Sequence, residues 1–430
     1  MPRLEIEGGV PLCGTLRAAG NKNAVLPMMA AALLTDQSVT LANVPDIGDV
    51  QTMAELIHGL GADVSWDRAA RQLTIRAGEV NPDGMSFPLS RRIRASILLV
   101  APVLVRAGRV AIASPGGDII GQRRLESHLD GLRQLGATAE EGDPLRFGLQ
   151  RPFRAHDVFL PEASVTGTEH LLTAAAGAQG ATVLRNAACE PHVCDVARML
   201  ANMGATVDGI GSNRLRVDGA EQLGGGTFRV SSDYTEVGSF LALAAATGGE
   251  LTMTGIDPDH YRHSLILRAF RRLGVELDLG EHSIGVRADQ TRRVDPGASG
   301  GLPMIDDGPW PKFPSDLMSV LLLMATQMEG TVLFFEKMYE SRMYFMDRLV
   351  SMGARAVICD PHRVVVCGPS RLEALEIASP DIRAGIALIG GALCAAGKSV
   401  VRSVHLVDRG YEAIDARLRE LGARVQRYED

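Results

Sequence analysis

The sequence predicts an α/β protein of two domains, each built from three copies of one repeating unit. Two observations lead to this prediction. The chain has 430 residues, and this length exceeds what a single hydrophobic core usually contains. Of these residues 46% are hydrophobic and 22% are charged, as in an ordinary α/β protein. A short glycine motif at the end of a helix-like stretch also recurs six times, at intervals of roughly 70 residues.

The recurring motif is a glycine that follows an amphipathic stretch and precedes residues of alternating polarity. Glycine readily adopts the left-handed conformation that ends a helix, and the alternation predicts a strand. The six copies are LGADV at Gly61, LGATA at Gly136, MGATV at Gly204, LGVEL at Gly274, MGARA at Gly353 and LGARV at Gly422.

A second pattern precedes each of these glycines: a helix of small residues, then a glycine and a short strand, as in AQGATVLRNAACEP and TGGELTMTGIDPD. The unit therefore reads helix, strand, loop, helix, strand, strand. The N-terminal segment LEIEGGVPLCGTLRAAGN resembles the strand pairs before later units, and we expect it to complete the sheet of the last unit. The predicted domains are residues 22–232 and residues 1–21 plus 233–430, with the boundary in the Gly-rich stretch QLGGGTFRVSS.

Cations stand where several of the apolar helices begin. Ser, Thr and Asp at these positions are ordinary N-cap residues. A cation beside the positive end of a helix is unfavourable unless an anion joins it, so Lys22, Arg94 and Arg383 indicate phosphate or carboxylate binding. The alternative is that these long side chains extend to solvent.

The loops after the first strand of each unit carry further polar clusters, among them Asp118 with Arg123, Glu340 with Arg342, and Asp408 with Arg409. If the buried helices run parallel, their starts and these loops converge on one face of each domain. Two such faces would form a cleft suited to anionic substrates.

Composition excludes several other classes. A net charge of −7 argues against a nucleic-acid surface, and no run of residues is long and apolar enough to span a bilayer. The N-terminus MPRLEIEGGV lacks the apolar centre of a signal peptide, so we expect a cytoplasmic protein. Six cysteines without CxxC spacing indicate neither a zinc site nor a disulfide framework.

With these residues identified, the sequence resembles the enolpyruvyl transferases over essentially its whole length. The matching stretches are GNKNAVLP, IRASILL, PGGDIIGQR, FPSDL, YESRM, DIRAGIALIGGAL and DRGYEAID. The resemblance implies a two-domain inside-out α/β barrel of six repeated βαβαββ-like units. It also implies transfer of the enolpyruvyl group of phosphoenolpyruvate to the 3-hydroxyl of UDP-N-acetylglucosamine, with release of phosphate, at the start of peptidoglycan precursor synthesis. The two small molecules are the expected partners, and no metal or organic cofactor is implied.

The resemblance also assigns roles to residues. Asp316 matches the base, Asp118 matches the proton donor, and Lys22 and Arg409 complete the catalytic set. The residues that match phosphoenolpyruvate binding are Lys22, Arg123, Arg342, Arg383 and Arg409. The residues that match sugar-nucleotide binding are Asn23, Arg94, Arg123, Glu126, Ser164, Val165, Asp233 and Asp316.

Asp118 departs from most members of the family, which have cysteine there. An ordinary aspartic acid, with a pKa of about 3.9, is ionised at neutral pH, whereas a thiol at about 8.5 is protonated. Burial and the phosphate of the substrate both favour a protonated acid, so we expect Asp118 to become a competent acid only in the closed complex with both substrates. A carboxylate is a poor nucleophile toward epoxides, so we also expect resistance to fosfomycin.

Other departures lie on the acceptor side, where Arg124 replaces a proline, Glu126 an aspartate and Glu162 a cation found in some members. They leave open an enolpyruvyl transferase with another nucleotide or nucleoside acceptor. They also leave open a non-catalytic paralogue that only binds the sugar nucleotide, although Lys22, Asp316 and Arg409 argue against this. The RNA phosphate cyclase group shares the repeat, but its histidine motif is missing from this sequence.

Overall fold

The computed structural model describes residues 2–117, 121, 124–150, 152–297 and 300–429. In chain order the strands are β1 Arg3–Glu7, β2 Gly14–Arg17, β3 Val39–Ala42, β4 Asp63–Asp67, β5 Gln72–Arg76, β6 Arg109–Ile112, β7 Thr138–Glu140, β8 Leu145–Gly148, β9 Asp157–Phe159, β10 Ala181–Arg185, β11 Thr206–Asp208, β12 Arg214–Asp218, β13 Gly226–Arg229, β14 Leu251–Thr254, β15 Leu277–Leu279, β16 Ser283–Val286, β17 Met304–Asp306, β18 Gly330–Phe335, β19 Ala356–Asp360, β20 Arg363–Gly368, β21 Glu376–Ala378, β22 Lys398–Arg402 and β23 Arg424–Tyr428.

The helices, again in chain order, are α1 Lys22–Ala31, α2 Gly48–Gly59, α3 Phe87–Ser90, α4 Val100–Ala107, α5 Glu126–Gln134, α6 Val165–Ala176, α7 Pro191–Met203, α8 Tyr234–Thr247, α9 Asp259–Arg262, α10 Ile266–Arg272, α11 Met318–Ala325, α12 Met346–Ser351, α13 Ile382–Cys394 and α14 Ile414–Glu420. Two 3₁₀ turns, Arg94–Leu99 and Ser315–Leu317, lead directly into α4 and α11.

The described residues separate into two compact units. The described residues within 20–117 and 124–231 form unit I, and those within 2–19 and 232–429, together with residue 121, form unit II. Unit I contains the sheets β13-β3-β5-β4, β6-β8-β7 and β11-β12-β10-β9. Unit II contains the sheets β15-β16-β14-β2, β17-β18-β20-β19 and β21-β22-β1-β23.

The repeat predicted from the glycine motif is present in the structure. The first copy runs α1, β3, α2, β4, β5, and the third runs α6, β10, α7, β11, β12. Gly61 and Gly204 follow α2 and α7 with φ of 92° and 120°, values that a residue with a side chain rarely adopts. The prediction of helix, glycine turn and strand is therefore confirmed at these positions.

The N-terminal strands differ in part from the prediction. β1 lies between β22 and β23 and pairs antiparallel with both, so it does complete the last sheet. β2 instead pairs parallel with β14, with Leu16 opposite Met253, and belongs to the sheet of the fourth copy. The expectation that both strands join the last sheet is wrong, because β2 forms the edge of the sheet β15-β16-β14-β2. β13, the strand before α8, correspondingly pairs with β3 in unit I.

One helix of each copy is almost entirely buried. In unit II these helices are α8, α11 and α13, which pack against one another in one core. Small residues permit this contact: a Cβ at Gly390 of α13 would come within 2.3 Å of side-chain atoms of both Leu243 and Leu323. In unit I, α1, α4 and α6 occupy the corresponding core. Because these helices are enclosed along their length, polar groups are concentrated where they begin.

Candidate active site

Asp316 in unit II lies in the 3₁₀ turn before α11, and two arginines bind its carboxylate. Arg342 Nη2 donates to Oδ1 at 3.1 Å, and Arg383 Nη2 donates to Oδ2 at 2.7 Å. The arginine side chains are 4% and 7% exposed, whereas that of Asp316 is 28% exposed. Both oxygens are thus held in place while the carboxylate still reaches the surface.

Three separate elements bring these groups together. Arg342 lies in the loop after β18, and Arg383 is the second residue of α13. Arg383 Nη1 also donates to the hydroxyl of Tyr411 at 3.3 Å, and that hydroxyl is 2.8 Å from Ser239 Oγ of α8. One hydrogen-bonded group therefore connects the starts of α11 and α13 with the second turn of α8.

Both arginines are charged despite their burial. Burial opposes the charged form of Arg383, but the carboxylate of Asp316 outweighs it and raises the pKa of Arg383 well above its ordinary value. The pKa of Arg342 is raised in the same way, with burial opposing and Asp316 and Glu336 favouring the charge. Nη1 of Arg342 is buried and has no hydrogen-bond acceptor among the described residues. A buried guanidinium donor without an acceptor is costly, so this edge is suited to an incoming anion.

Lys22 in unit I is also paired with a carboxylate. Its Nζ lies 2.8 Å from Asp49 Oδ2, and both side chains are nearly buried. Lys22 is the first residue of α1 and Asp49 is in the first turn of α2. The alternative that this lysine extends to solvent is therefore wrong. An internal carboxylate compensates its charge, as Asp316 does for Arg383.

Arg94 begins the 3₁₀ turn before α4, and its Nη2 donates to the carbonyl of Arg124 at 2.9 Å. This bond fixes the segment that leads into α5, where Glu126 is the first residue. The side chain of Glu126 is 54% exposed, with its Oε1 3.9 Å from Arg124 Nη1.

Ser164 and Val165 form the start of α6. Ser164 is the N-cap, and its Oγ accepts from the backbone N–H of Gly167 at 3.1 Å. Asp233 is likewise the N-cap of α8 and accepts from two backbone N–H groups, while Asn21 caps α1 directly before Lys22 and Asn23. Capping thus accounts for the local role of Ser164 and Asp233, and it places both at helix starts.

A buried histidine pair links α4, α5 and α6. The backbone N–H of Ala101 donates to His170 Nε2 at 3.0 Å, so the His170 proton must be on Nδ1, 3.0 Å from His128 Nδ1. His128 must then carry its proton on Nε2, which lies 3.2 Å from Thr166 Oγ1. Burial lowers the pKa of His170 to about 3, so His170 is neutral at neutral pH and the hydrogen-bonded pair keeps these tautomers.

Three further residues of the predicted site are Arg409, Asp118 and Arg123. Arg409 lies half-buried in the turn after the 3₁₀ segment Val404–Leu406, next to Asp408, whose carboxylate is bound by Arg427. Asp118 and Arg123 lie outside the described residues. Sequence reasoning did not identify Glu336 or Asp307, because a buried polar residue at the end of a strand has no distinguishing local pattern. The contact between His128 and His170 was also not predicted, because the two residues lie on different helices, 42 positions apart.

Within the described ranges, no helix combines the length and apolar character that crossing a lipid bilayer requires. In the same part of the chain, no three His, Cys, Asp or Glu side chains cluster so that they could hold a metal ion.

A protein-family model described as EPSP synthase (3-phosphoshikimate 1-carboxyvinyltransferase) matches residues 6–418. The chain belongs to the EPSP synthase family. Among family members, the UDP-N-acetylglucosamine 1-carboxyvinyltransferase of Borreliella burgdorferi is 46% identical, covering 98% of each chain. That of Bradyrhizobium diazoefficiens is also 46% identical, covering 98% of this chain and 97% of the relative.

Solved structures of EPSP synthase relatives show the same fold. The enolpyruvyl transferase NikO from Streptomyces tendae superposes with a TM-score of 0.88 at 23% identity, covering 99% of this chain and 98% of the other. An EPSP synthase from Acinetobacter baumannii gives a TM-score of 0.74 at 16% identity, with complete coverage of both chains. The predicted fold class is confirmed, and as a member of this family the chain is a transferase of the carboxyvinyl (enolpyruvyl) group.

Proposed function

We propose that the chain transfers the carboxyvinyl group of phosphoenolpyruvate to the 3-hydroxyl of UDP-N-acetylglucosamine and releases phosphate. The observation that carries the proposal is the partly exposed carboxylate of Asp316, held at both oxygens by buried arginines. The relatives of 46% identity, which carry the name of this activity, support the choice of acceptor.

Asp316 is the proposed base. A general base must be fixed within hydrogen-bond reach of the proton that it takes, and two arginines restrict this carboxylate without enclosing it. As the 3-hydroxyl loses its proton to Asp316, its oxygen forms a bond to C2 of phosphoenolpyruvate. Arg342 and Arg383 fix the orientation of Asp316 and attract the negatively charged substrate.

Binding of phosphoenolpyruvate is assigned to cations. We propose Lys22, Arg123, Arg342, Arg383 and Arg409 as ligands of its phosphate and carboxylate. The free edge of Arg342 supports this assignment, as does the position of Lys22 at a helix start, where the helix dipole adds to its charge.

Asp118 is the proposed proton donor to C3 of phosphoenolpyruvate during the addition step. In the elimination step the Asp118 carboxylate takes a proton back from C3, the C2–C3 double bond re-forms and the C2–O bond breaks with its electron pair leaving on phosphate, so the products are the carboxyvinyl ether and phosphate. Gly116 and Gly117 precede Asp118 in the sequence, and Gly117 has a φ of 105°, which requires glycine.

The sugar nucleotide is assigned to Asn23, Arg94, Arg123, Glu126, Ser164, Val165, Asp233 and Asp316. The bond from Arg94 to the Arg124 carbonyl and the cap at Ser164 support this assignment, because they fix two of the segments involved. Since the product is a peptidoglycan precursor in organisms that make this polymer, we propose that the chain acts in cell-wall synthesis in the cytoplasm.

The test is to incubate the protein with phosphoenolpyruvate and UDP-N-acetylglucosamine and to measure phosphate and the mass of the product. Phosphate release together with an acceptor heavier by one carboxyvinyl group is expected. Calorimetry with UDP-N-acetylglucosamine and with UMP then separates the acceptors. Equal affinity for the two, without phosphate release, would overturn the proposal in favour of another nucleotide acceptor.

A further inference from the structure

Arg342 faces a second carboxylate with a different edge of its guanidinium group. While Nη2 donates to Asp316, Nε lies 3.6 Å from Glu336 Oε2, which is an ion-pair distance without a hydrogen bond. The side chain of Glu336, the residue that follows β18, is fully buried. Arg342 is therefore held between the proposed base and a carboxyl group that the proposed reaction does not use.

Glu336 is surrounded by hydrogen-bond donors. Its Oε2 accepts from Ser315 Oγ at 2.7 Å. Its Oε1 accepts from the backbone N–H groups of Met338 at 2.9 Å and Tyr339 at 3.1 Å. These bonds fix the carboxyl group in one orientation, with one oxygen toward Arg342 and toward the residue next to Asp316.

A second buried carboxyl group, that of Asp307, lies beside Glu336. Asp307 is fully buried, and its Oδ1 accepts from the backbone N–H of Lys337 at 2.6 Å. Its Oδ2 has no hydrogen-bond donor among the described residues. Burial first, and then the hydrogen bond and charge of Asp307, raise the pKa of Glu336 to about 8. Burial and the neighbouring carboxyl group of Asp307 thus both favour the protonated form of Glu336.

We propose that Glu336 is a positioning residue for carboxyvinyl transfer, which holds Arg342 in the orientation that binds Asp316. The proposal rests on the proposed function, because it acts through the base assigned there. While Glu336 is protonated, the charge of Arg342 is attracted mainly by the carboxylate of Asp316. When Glu336 loses its proton, its negative charge draws the guanidinium away from Asp316.

The groups that face Glu336 come from several elements. They are Arg342, Asp307, Ser315, the backbone amides of Met338 and Tyr339, and His362, whose Nδ1 lies 2.7 Å from the Glu336 carbonyl. The charge at Arg342 is further influenced by Asp316, Tyr339 and Asp381. Among the ionisable side chains that act on Glu336, Asp307 is the carboxyl group that raises its pKa. Substitution of Asp307 therefore tests the pH dependence of Glu336.

The experiment compares kcat against pH for the wild type, Glu336→Gln, Asp307→Asn and the control Asp306→Asn. Asp306 is the adjacent carboxylate, and it pairs with Lys312 and Lys337. Glutamine at 336 has one accepting oxygen in place of two, and its NH₂ group must face either the backbone N–H groups or Arg342, which are donors themselves. Because Arg342 then loses its orientation, we expect kcat to fall about tenfold or more. The wild type and the control should lose activity as the pH rises through about 8. Asp307→Asn removes the second cause of the raised pKa of Glu336, so that limb of its profile should move to lower pH.

Thermal unfolding of each variant checks that it is folded. A folded Glu336→Gln protein with wild-type kcat would overturn the proposal, as would an Asp307→Asn profile with the same alkaline limb as the control. If the wild type releases no phosphate at all, the proposed function fails separately. The Nε–H resonance of Arg342 then decides, since it should shift near pH 8 in the wild type and at a lower pH in Asp307→Asn. A resonance that behaves alike in both would overturn the positioning role.

Discussion

Replacing Asp316 with asparagine separates the chemical role of this carboxylate from its structural role. The substitution keeps the shape of the side chain but leaves one oxygen where there were two. The wild-type oxygens accept from Arg342 at 3.1 Å and from Arg383 at 2.7 Å. In the variant an NH₂ group faces one of these guanidinium groups, and two donors then oppose each other.

The two effects differ in magnitude. A hydrogen bond to a charged group contributes about 1.5–3 kcal/mol, and the side chain is 28% exposed, so we expect folding stability to fall by about 1–2 kcal/mol. Removal of a general base costs about 10²–10⁴-fold in rate, or about 3–5 kcal/mol at 1.36 kcal/mol per factor of ten. The loss of rate should therefore greatly exceed what the loss of stability explains.

The assay measures phosphate release at saturating phosphoenolpyruvate and UDP-N-acetylglucosamine, alongside urea unfolding. Asp360→Asn is a matched control, because that carboxylate pairs with Arg363 at the surface. The reasoning is refuted if folded Asp316→Asn keeps a tenth or more of the wild-type kcat.

Three further predictions follow from other residues. Asp49→Asn removes the carboxylate that holds Lys22 Nζ at 2.8 Å, and the loss of a fixed position for the lysine should outweigh the loss of a negative charge. Steady-state kinetics should show the KM for phosphoenolpyruvate rising about tenfold and the KM for the sugar nucleotide changing less; equal rises would contradict this. Burial, and then Glu190, raise the pKa of Glu169 well above the 4.5 of an exposed glutamate, so above pH 4.5 the folded state retains a proton that the unfolded chain releases. Urea unfolding at pH 5 and pH 8 should show Glu169→Gln gaining stability over the wild type by up to about 1.4 kcal/mol per pH unit; parallel pH dependences would contradict this. The sequence also predicts that Asp118→Cys becomes sensitive to time-dependent inactivation by fosfomycin while the wild type does not, and a covalent adduct on wild-type Asp118 would oppose it.

Much of the fold could be predicted because its signals are local. A glycine after an amphipathic helix requires only a left-handed turn, and Gly61 and Gly204 both have it. The cations at Lys22 and Arg383 could be identified as unusual because a helix start is positive whatever packs around it. The match to the family also depends on short stretches that need no knowledge of tertiary contacts.

The tertiary structure decided which groups meet. Arg342 and Arg383 lie 26 and 67 residues from Asp316, and their contact depends on the packing of the buried helices rather than on any local period. The same holds for β2, which pairs with β14 of another copy. The sequence by itself determined the repeat, the class of each element and the cations at the helix starts. Only the three-dimensional packing assigned a carboxylate to each of Lys22 and Arg383, because residues distant in the chain have no shared pattern until the helices enclose them.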